Sequence, residues 1–249
     1  MTVRLPRDKG EAWLESWDRQ QELYLPDREE RLGFLVGMVV SGRRDSPLRI
    51  LDLACGPGSL TRRLLSAAPD SEIVAVDLDP VLLAVYRSVH PGVATVEADL
   101  RRDGWSRSIT EGFDAVVTAT ALHWLDGPAI RELYVALAEL LRPGGVFLNA
   151  DHAPLDNCPE LGRRTAQLLE RERESLGGER RDWESWWEAI AKDPYLGALV
   201  PERNRRFADR GEEFAPKAAW HLSGLAEAGF AEQAVVWRRG RDAIVAAVR

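Results

Sequence analysis

The sequence predicts an α/β fold: a doubly wound, seven-stranded, mostly parallel sheet with an antiparallel last strand and a helical insertion. Three observations predict it. From residue 49 to 151, short apolar runs alternate with amphipathic segments, the rhythm of strand–helix units whose strands are covered on both faces. A small-residue turn, Cys55-Gly56-Pro57-Gly58, separates the first run from its helix. Near the C-terminus, QAVVWRR (233–239) and DAIVAAV (242–248) are joined so tightly through Gly240 that only a hairpin can connect them.

The elements follow in order. Residues 11–24 and 28–41 read as two helices divided at Leu25-Pro26-Asp27, and Trp13, Trp17 and Tyr24 recur along one helical face. That stripe either packs on the core or forms a flap over a ligand. Strand one is 49–54, and Ser59 or Thr61 can help cap the following helix, 59–67. Strand two (72–79) leads to helix 80–89, with Pro80 suited to its first turn. Strand three is 93–99, strand four 113–120, and helix 128–142 meets the stop Arg142-Pro143-Gly144-Gly145 before strand five, 146–151. The rhythm breaks over the charged segment 152–216, helical in pattern, with Trp183, Trp186 and Trp187 at i, i+3 and i+4. A last helix, 217–228, precedes the hairpin. Three regions are therefore expected: a helical flap (1–45), an α/β ligand-binding domain (46–151 with 217–249), and a helical insertion acting as a lid (152–216).

Bulk properties narrow the partners. A net charge of −7 argues against a broad nucleic-acid surface. The longest apolar run, Leu32 to Val40, is too short to span a bilayer. MTVRLPRDKGEAW contains no apolar signal core, so a cytoplasmic location is expected. Cys55 and Cys158 form neither a metal-ligand pair nor a disulfide framework, and no cluster with metal-ligand spacing stands out, so no metal is expected.

The turn after strand one points to a small ligand. Gly56 and Gly58 allow a sharp turn and close backbone approach. The dinucleotide fingerprint G-x-G-x-x-G is not met, because its sixth position is Thr61, and the Gly-Lys-Ser/Thr ending of a P-loop is absent. A ligand without a pyrophosphate fits better. Asp52 stands just before the turn, Asp77 closes strand two and Asp99 closes strand three. Ligands of open α/β sheets bind at the carboxyl ends of the strands, so Asp77 and Asp99 should line one crevice and accept from hydroxyl or amine groups.

In that order and spacing, DLACGPG, VDLDP, the EADL around Asp99, TATALHWL and LLRPGGVFLNAD resemble the class I S-adenosylmethionine-dependent methyltransferases, in particular the small-molecule trans-aconitate methyltransferase group. That family's first motif usually has glycine where this chain has Ala54. The resemblance implies a Rossmann-like methyltransferase fold and S-adenosylmethionine as cofactor. It further implies that Asp52, Ala54, Gly56 and Gly58 order the turn and the methionine end. Asp77 with Leu78 would hold the ribose, Asp99 with Leu100 the adenine, and Thr118 would line the cofactor side.

The acceptor side is expected after strand four. The N/D-P-P-Y/F motif of nucleic-acid amino-methylating enzymes is absent there, and ALHWL is similar to small-molecule enzymes. His123 is the candidate catalytic residue, able to orient an acceptor or take its proton, with helix capping as the plainer alternative. Trp17, Tyr24, Trp124, His152 and Trp186 are candidate substrate contacts, whereas His221 reads as structural and His90 as a turn residue. The expected activity is methyl transfer to O, N or C of a small metabolite. Two rivals remain: a nicotinamide-dependent Rossmann oxidoreductase and a non-catalytic S-adenosylmethionine-binding partner protein.

Overall fold

The computed structural model describes the chain apart from residues 1–3, 26, 43–46, 103, 156–157 and 176–181. Two N-terminal helices, α1 (Arg7–Gln21) and α2 (Arg28–Ser41), precede β1 (Arg49–Leu53) and α3 (Ser59–Ala67). Then come β2 (Glu72–Asp77), α4 (Pro80–Val89), β3 (Ala94–Glu97), β4 (Phe113–Ala119), α5 (Gly127–Leu140) and β5 (Leu141–His152). The insertion carries α6 (Pro159–Ser175), α7 (Trp183–Ala191) and α8 (Val200–Arg206). The chain closes with α9 (Ala218–Glu227), β6 (Glu232–Arg239) and β7 (Asp242–Val248).

The sheet has seven strands among the described residues, in the order β3-β2-β1-β4-β5-β7-β6. Strands β1 to β5 run parallel, and β7 lies antiparallel between β5 and β6, as the short Gly240 link requires. Strand order reverses between β1 and β4, which opens a crevice above their carboxyl ends. Alternation along the strands feeds two cores. Leu51, Leu53, Val116 and Phe147 face α5 and α9, whereas Ile50, Ala115, Val117 and Leu148 face α2 and α3.

Local chemistry fixes the helix starts that border the crevice. Asp79 caps α4 by accepting from the N–H groups of Val81 and Leu82, with Pro80 as the first helical residue. Asp126 caps α5 at Ala129. Helix α3 is different: Gly58 stands at its N-cap without a side-chain bond, and both expected capping hydroxyls are used elsewhere. Ser59 donates to Asp18 and Thr61 to Asp52.

The expected stop at Arg142-Pro143-Gly144-Gly145 is also modified. Helix α5 ends at Leu140 and β5 begins at Leu141, with Gly144 in left-handed backbone at φ 76° inside the Pro-Gly-Gly segment. The irregularity is absorbed on β5: Phe113 pairs with Leu141 and Ala115 with Val146, so the extra residues of the Pro-Gly-Gly segment bulge from that strand. The expected boundary at 45–46 between flap and core lies outside the described residues.

The tryptophan-rich segments meet each other. Trp13 and Trp17 of α1 make edge contacts with Trp186 of α7, whose ring is fully buried among α1, α4 and the end of the insertion. Trp186 therefore packs the insertion onto the body rather than facing a ligand, a correction to the expected acceptor contact. Position i+3 of the trio turned inward, leaving Trp183 and Trp187 on the cavity side. Among the described residues no helix is long and apolar enough to cross a membrane.

Candidate active site

A cavity of about 1020 Å³ occupies the crevice, roofed by α1, α2 and the insertion. Small-ligand sites usually measure about 300–1,000 Å³, so this one has room for two ligands side by side. Of the residues singled out in the sequence, Asp52, Ala54, Gly56, Asp77, Leu78, Asp99, Leu100, His123, Trp124, His152, Trp17 and Tyr24 line it. Gly58, Thr118 and Trp186 do not.

The turn is built for close approach. Ala54 and Gly56 both adopt left-handed backbone, at φ 52° and 56°. A Cβ on Gly56 would project into open space, whereas one on Gly58 would strike the His90 ring at 2.6 Å. The two glycines thus differ in purpose: Gly56 leaves room in the cavity, and Gly58 lets α3 pack on α4. His90 completes that packing, its Nε2 lying 3.2 Å from the Gly58 carbonyl oxygen. Thr118 is buried within β4, and the cavity is lined instead by Ala119, Thr120 and Ala121 beyond the strand end. Strand alternation turns Thr118 away from the crevice.

The acids behave as a cationic-ligand site would require. Gly56 N–H donates to Asp77 Oδ2 (2.7 Å) and Asp79 N–H to Asp77 Oδ1 (2.8 Å), so each oxygen keeps a lone pair for a further donor. Burial pushes the Asp77 carboxyl up to about 6, with repulsion from Asp79 adding to it. Burial likewise pushes Asp52 up to about 7, against the hydrogen bond from Thr61 and with repulsion from Asp77. Two buried acids facing one cavity disfavour their own charge, and a bound cation would offset that cost. Together with the open Gly56 cradle, this fits a sulfonium nucleoside.

Asp99 is placed as expected but is not free. Arg101 grips both of its oxygens at 2.8 Å and also donates its backbone N–H. Burial pushes the Asp99 carboxyl up, but these bonds outweigh it and hold it below the usual carboxylate range.

At the other end of the cavity stand two linked carboxylate–histidine pairs. His123 Nδ1 lies 2.7 Å from Asp151 Oδ1, and Asp151 also accepts the backbone N–H groups of His123 (3.1 Å) and His152 (2.8 Å). Burial pushes the Asp151 carboxyl up, but the His123 hydrogen bond and charge outweigh it, leaving it below its ordinary value. His152 Nδ1 is bound in turn to Asp242 Oδ1 at 2.6 Å, and the imidazole rings are 5.2 Å apart. With each Nδ1 turned to a carboxylate, each Nε2 is left for the cavity. His123, Asp151 and His152 could bring one ligand atom each within 4.8 Å of one another, a grouping that the sequence reading did not see. Asp151 accepts two N–H donors at Oδ1 and one at Oδ2, so it orients the His123 ring and holds the backbone of both histidines, while Asp242 orients the His152 ring. His221, by contrast, is buried against the Tyr134 hydroxyl (2.6 Å), and burial pushes it down to about 4.

The insertion fastens the roof. Arg203 of α8 donates to Asp79 (2.7 Å) and covers the Trp187 ring, and Arg206 donates to the Leu78 carbonyl (2.8 Å). Beside His123, Trp124 stacks under the Arg210 guanidinium. None of these three arginines is among the candidate site residues that the sequence suggests.

Comparison with known proteins agrees with this geometry. Residues 50–145 match the family model described as a methyltransferase domain. The malonyl-[acyl-carrier protein] O-methyltransferase of Halalkalibacterium halodurans is 33% identical over 114 residues, covering 45% of this chain and 41% of that protein. The trans-aconitate 2-methyltransferase of Escherichia coli K12 is 33% identical over 130 residues, covering 52% and 49%. The chain thus spans about half the length of the curated relatives it matches. Among solved structures, a putative O-methyltransferase from Nostoc punctiforme superposes with a TM-score of 0.58 at 16% identity, over 93% of this chain and 60% of that one. Human N-acetylserotonin methyltransferase gives 0.53 at 16%, over 94% and 56%, and both likenesses concern the fold. Turn, acids, sheet order and matched segment agree: residues 50–145 of this chain are similar to a methyltransferase domain, on a sheet whose fold is that of the solved methyltransferase structures.

Proposed function

We propose that the chain transfers a methyl group from S-adenosylmethionine to an O, N or C atom of a small metabolite. The observation that carries this reading is one continuous cavity with the acid-lined nucleoside end and the paired histidines at opposite ends. When bound, the cofactor supplies a methyl group already activated on a sulfonium. Asp77 accepts from ribose hydroxyls, and Leu78 and Leu100 flank the nucleoside. Asp99 reaches an adenine amine only by sharing its oxygens with Arg101. Ala54 and Gly56 let the methionine end pass close to the backbone.

On the acceptor side, Asp151 fixes the His123 ring so that Nε2 can take a proton from the attacking group. Holding both reactants in line under the roof and away from water is worth roughly 7–11 kcal/mol. Trp17, Tyr24, Trp124 and His152 bound the acceptor space. A soluble, small-molecule enzyme of the cytoplasm is the setting this reading implies.

Titration with S-adenosylhomocysteine and with NADH tests it. Binding of the former alone is expected; binding of NADH alone would return the chain to the oxidoreductase reading.

A further inference from the structure

Among the cavity-lining groups that the methyl-transfer reading leaves unused is Arg31. It is 1% exposed and lines the cavity, yet its Nε and Nη1 have no hydrogen-bond partner. Its nearest acid, Asp242, stands 3.8 Å from Nη1 and is already bound to His152 at 2.6 Å. Buried guanidinium N–H groups without acceptors are costly, and the planar fork matches an oxyanion.

Its place in the fold says which ligand it serves. From the turn after β1, the sheet steps through β4, which leads to His123, then β5, which ends at His152, then β7, which begins at Asp242. At about 4.8 Å per strand, Asp242 lies roughly 14 Å from β1. Arg31 stands beside Asp242, on the histidine side of the cavity and away from the cofactor turn.

Resting on the methyl-transfer reading, we propose that Arg31 selects an acceptor bearing a non-reacting oxyanion, a carboxylate or phosphate, and holds that group while the reacting atom faces His123. Other charges face the same spot. Asp27, one helical turn before Arg31, also has a buried oxygen, Oδ2, without a partner. Burial pushes the Asp27 carboxyl up, helped by Asp242 and opposed by its own backbone bond, Arg239 and Arg31. Its protonated form can add a second donor to the anion. Arg239 is paired with Glu172, and Arg28 with Asp18, so neither competes for it.

The test uses wild-type, Arg31→Gln and Arg31→Lys protein saturated with S-adenosylhomocysteine. Calorimetry is run with trans-aconitate, malonate, succinate, benzoate and glycerol phosphate, each beside its uncharged amide or alcohol. At least one anion is expected to bind, with its neutral counterpart ten or more times weaker. Arg31→Gln should weaken that anion at least tenfold and Arg31→Lys less, with S-adenosylhomocysteine affinity held within twofold. Equal binding of the neutral counterparts, or binding of none of the anions, overturns the proposal and needs no variant to be folded. A tenfold loss of S-adenosylhomocysteine affinity in Arg31→Gln also overturns it, because the guanidinium would then serve the cofactor's own carboxylate. Failure of the wild-type protein to bind S-adenosylhomocysteine would remove the methyl-transfer reading as well.

Discussion

His123 and Asp151 come from the ends of neighbouring parallel strands and meet at 2.7 Å, with Asp151 also anchoring the His123 backbone. This double hold fixes both the position of the residue and the direction of its ring. His123→Ala is expected to reduce kcat by about 10²–10⁴ while S-adenosylhomocysteine affinity stays within about twofold. Asp151→Asn must turn its NH2 toward at least one N–H donor, which should cost about 1–3 kcal/mol of stability as well as turnover. Turnover, ligand titration and denaturant unfolding of the two variants separate these effects.

The two glycines of the turn should fail differently. Gly56→Ala places a methyl group in the cavity at φ 56° and should weaken S-adenosylhomocysteine binding, with a backbone cost of about 1–2 kcal/mol. Gly58→Ala meets the His90 ring and should lower the melting temperature further, even without ligand. Thermal melts with and without S-adenosylhomocysteine show the contrast.

Asp52 and Asp77 are expected to make cofactor recognition pH-dependent. Both folded-state values, about 7 and about 6, lie above the ordinary carboxyl range. Their protonated forms therefore favour the folded state: that contribution is complete below about pH 4 and is lost as pH rises through about 6 and 7. A sulfonium compensates the ionised pair; a neutral thioether does not. The ratio of S-adenosylmethionine to S-adenosylhomocysteine affinity should therefore rise between pH 5 and 8 by about 0.5–1 kcal/mol or more, and calorimetry at both pH values measures it.

The tryptophans of the insertion should divide by position. Trp186→Ala empties a fully buried site and should cost about 3–5 kcal/mol. Trp183 is exposed at the cavity rim, where its backbone N–H meets the Tyr24 hydroxyl, so Trp183→Ala should cost about 1 kcal/mol or less. Its effect belongs on acceptor KM. Denaturant unfolding beside steady-state kinetics distinguishes them.

How far the sequence could be read follows from these residues. The strand–helix alternation, the hairpin and the acidic turn were legible, because they rest on local runs and short links. Asp77 and Asp99 were placed in the crevice by the same rule, yet the grip of Arg101 on Asp99 was not, since a residue two positions on can point anywhere in a loop. The Asp151–His123 contact joins residues 28 positions apart and needs β4 and β5 to be neighbours; strand order could have suggested it. Arg31 gave no signal at all: its burial arises only once α2 lies across β5 and β7. The trio of insertion tryptophans shows the limit of periodicity, which names a shared face but not what covers it.

The most direct measurement is incubation of the purified protein with methyl-labelled S-adenosylmethionine and a metabolite extract, followed by mass analysis. The account predicts a labelled small molecule that disappears with His123→Ala, although that variant still binds S-adenosylhomocysteine. Cofactor binding without any labelled product would contradict methyl transfer and leave a non-catalytic S-adenosylmethionine-binding protein.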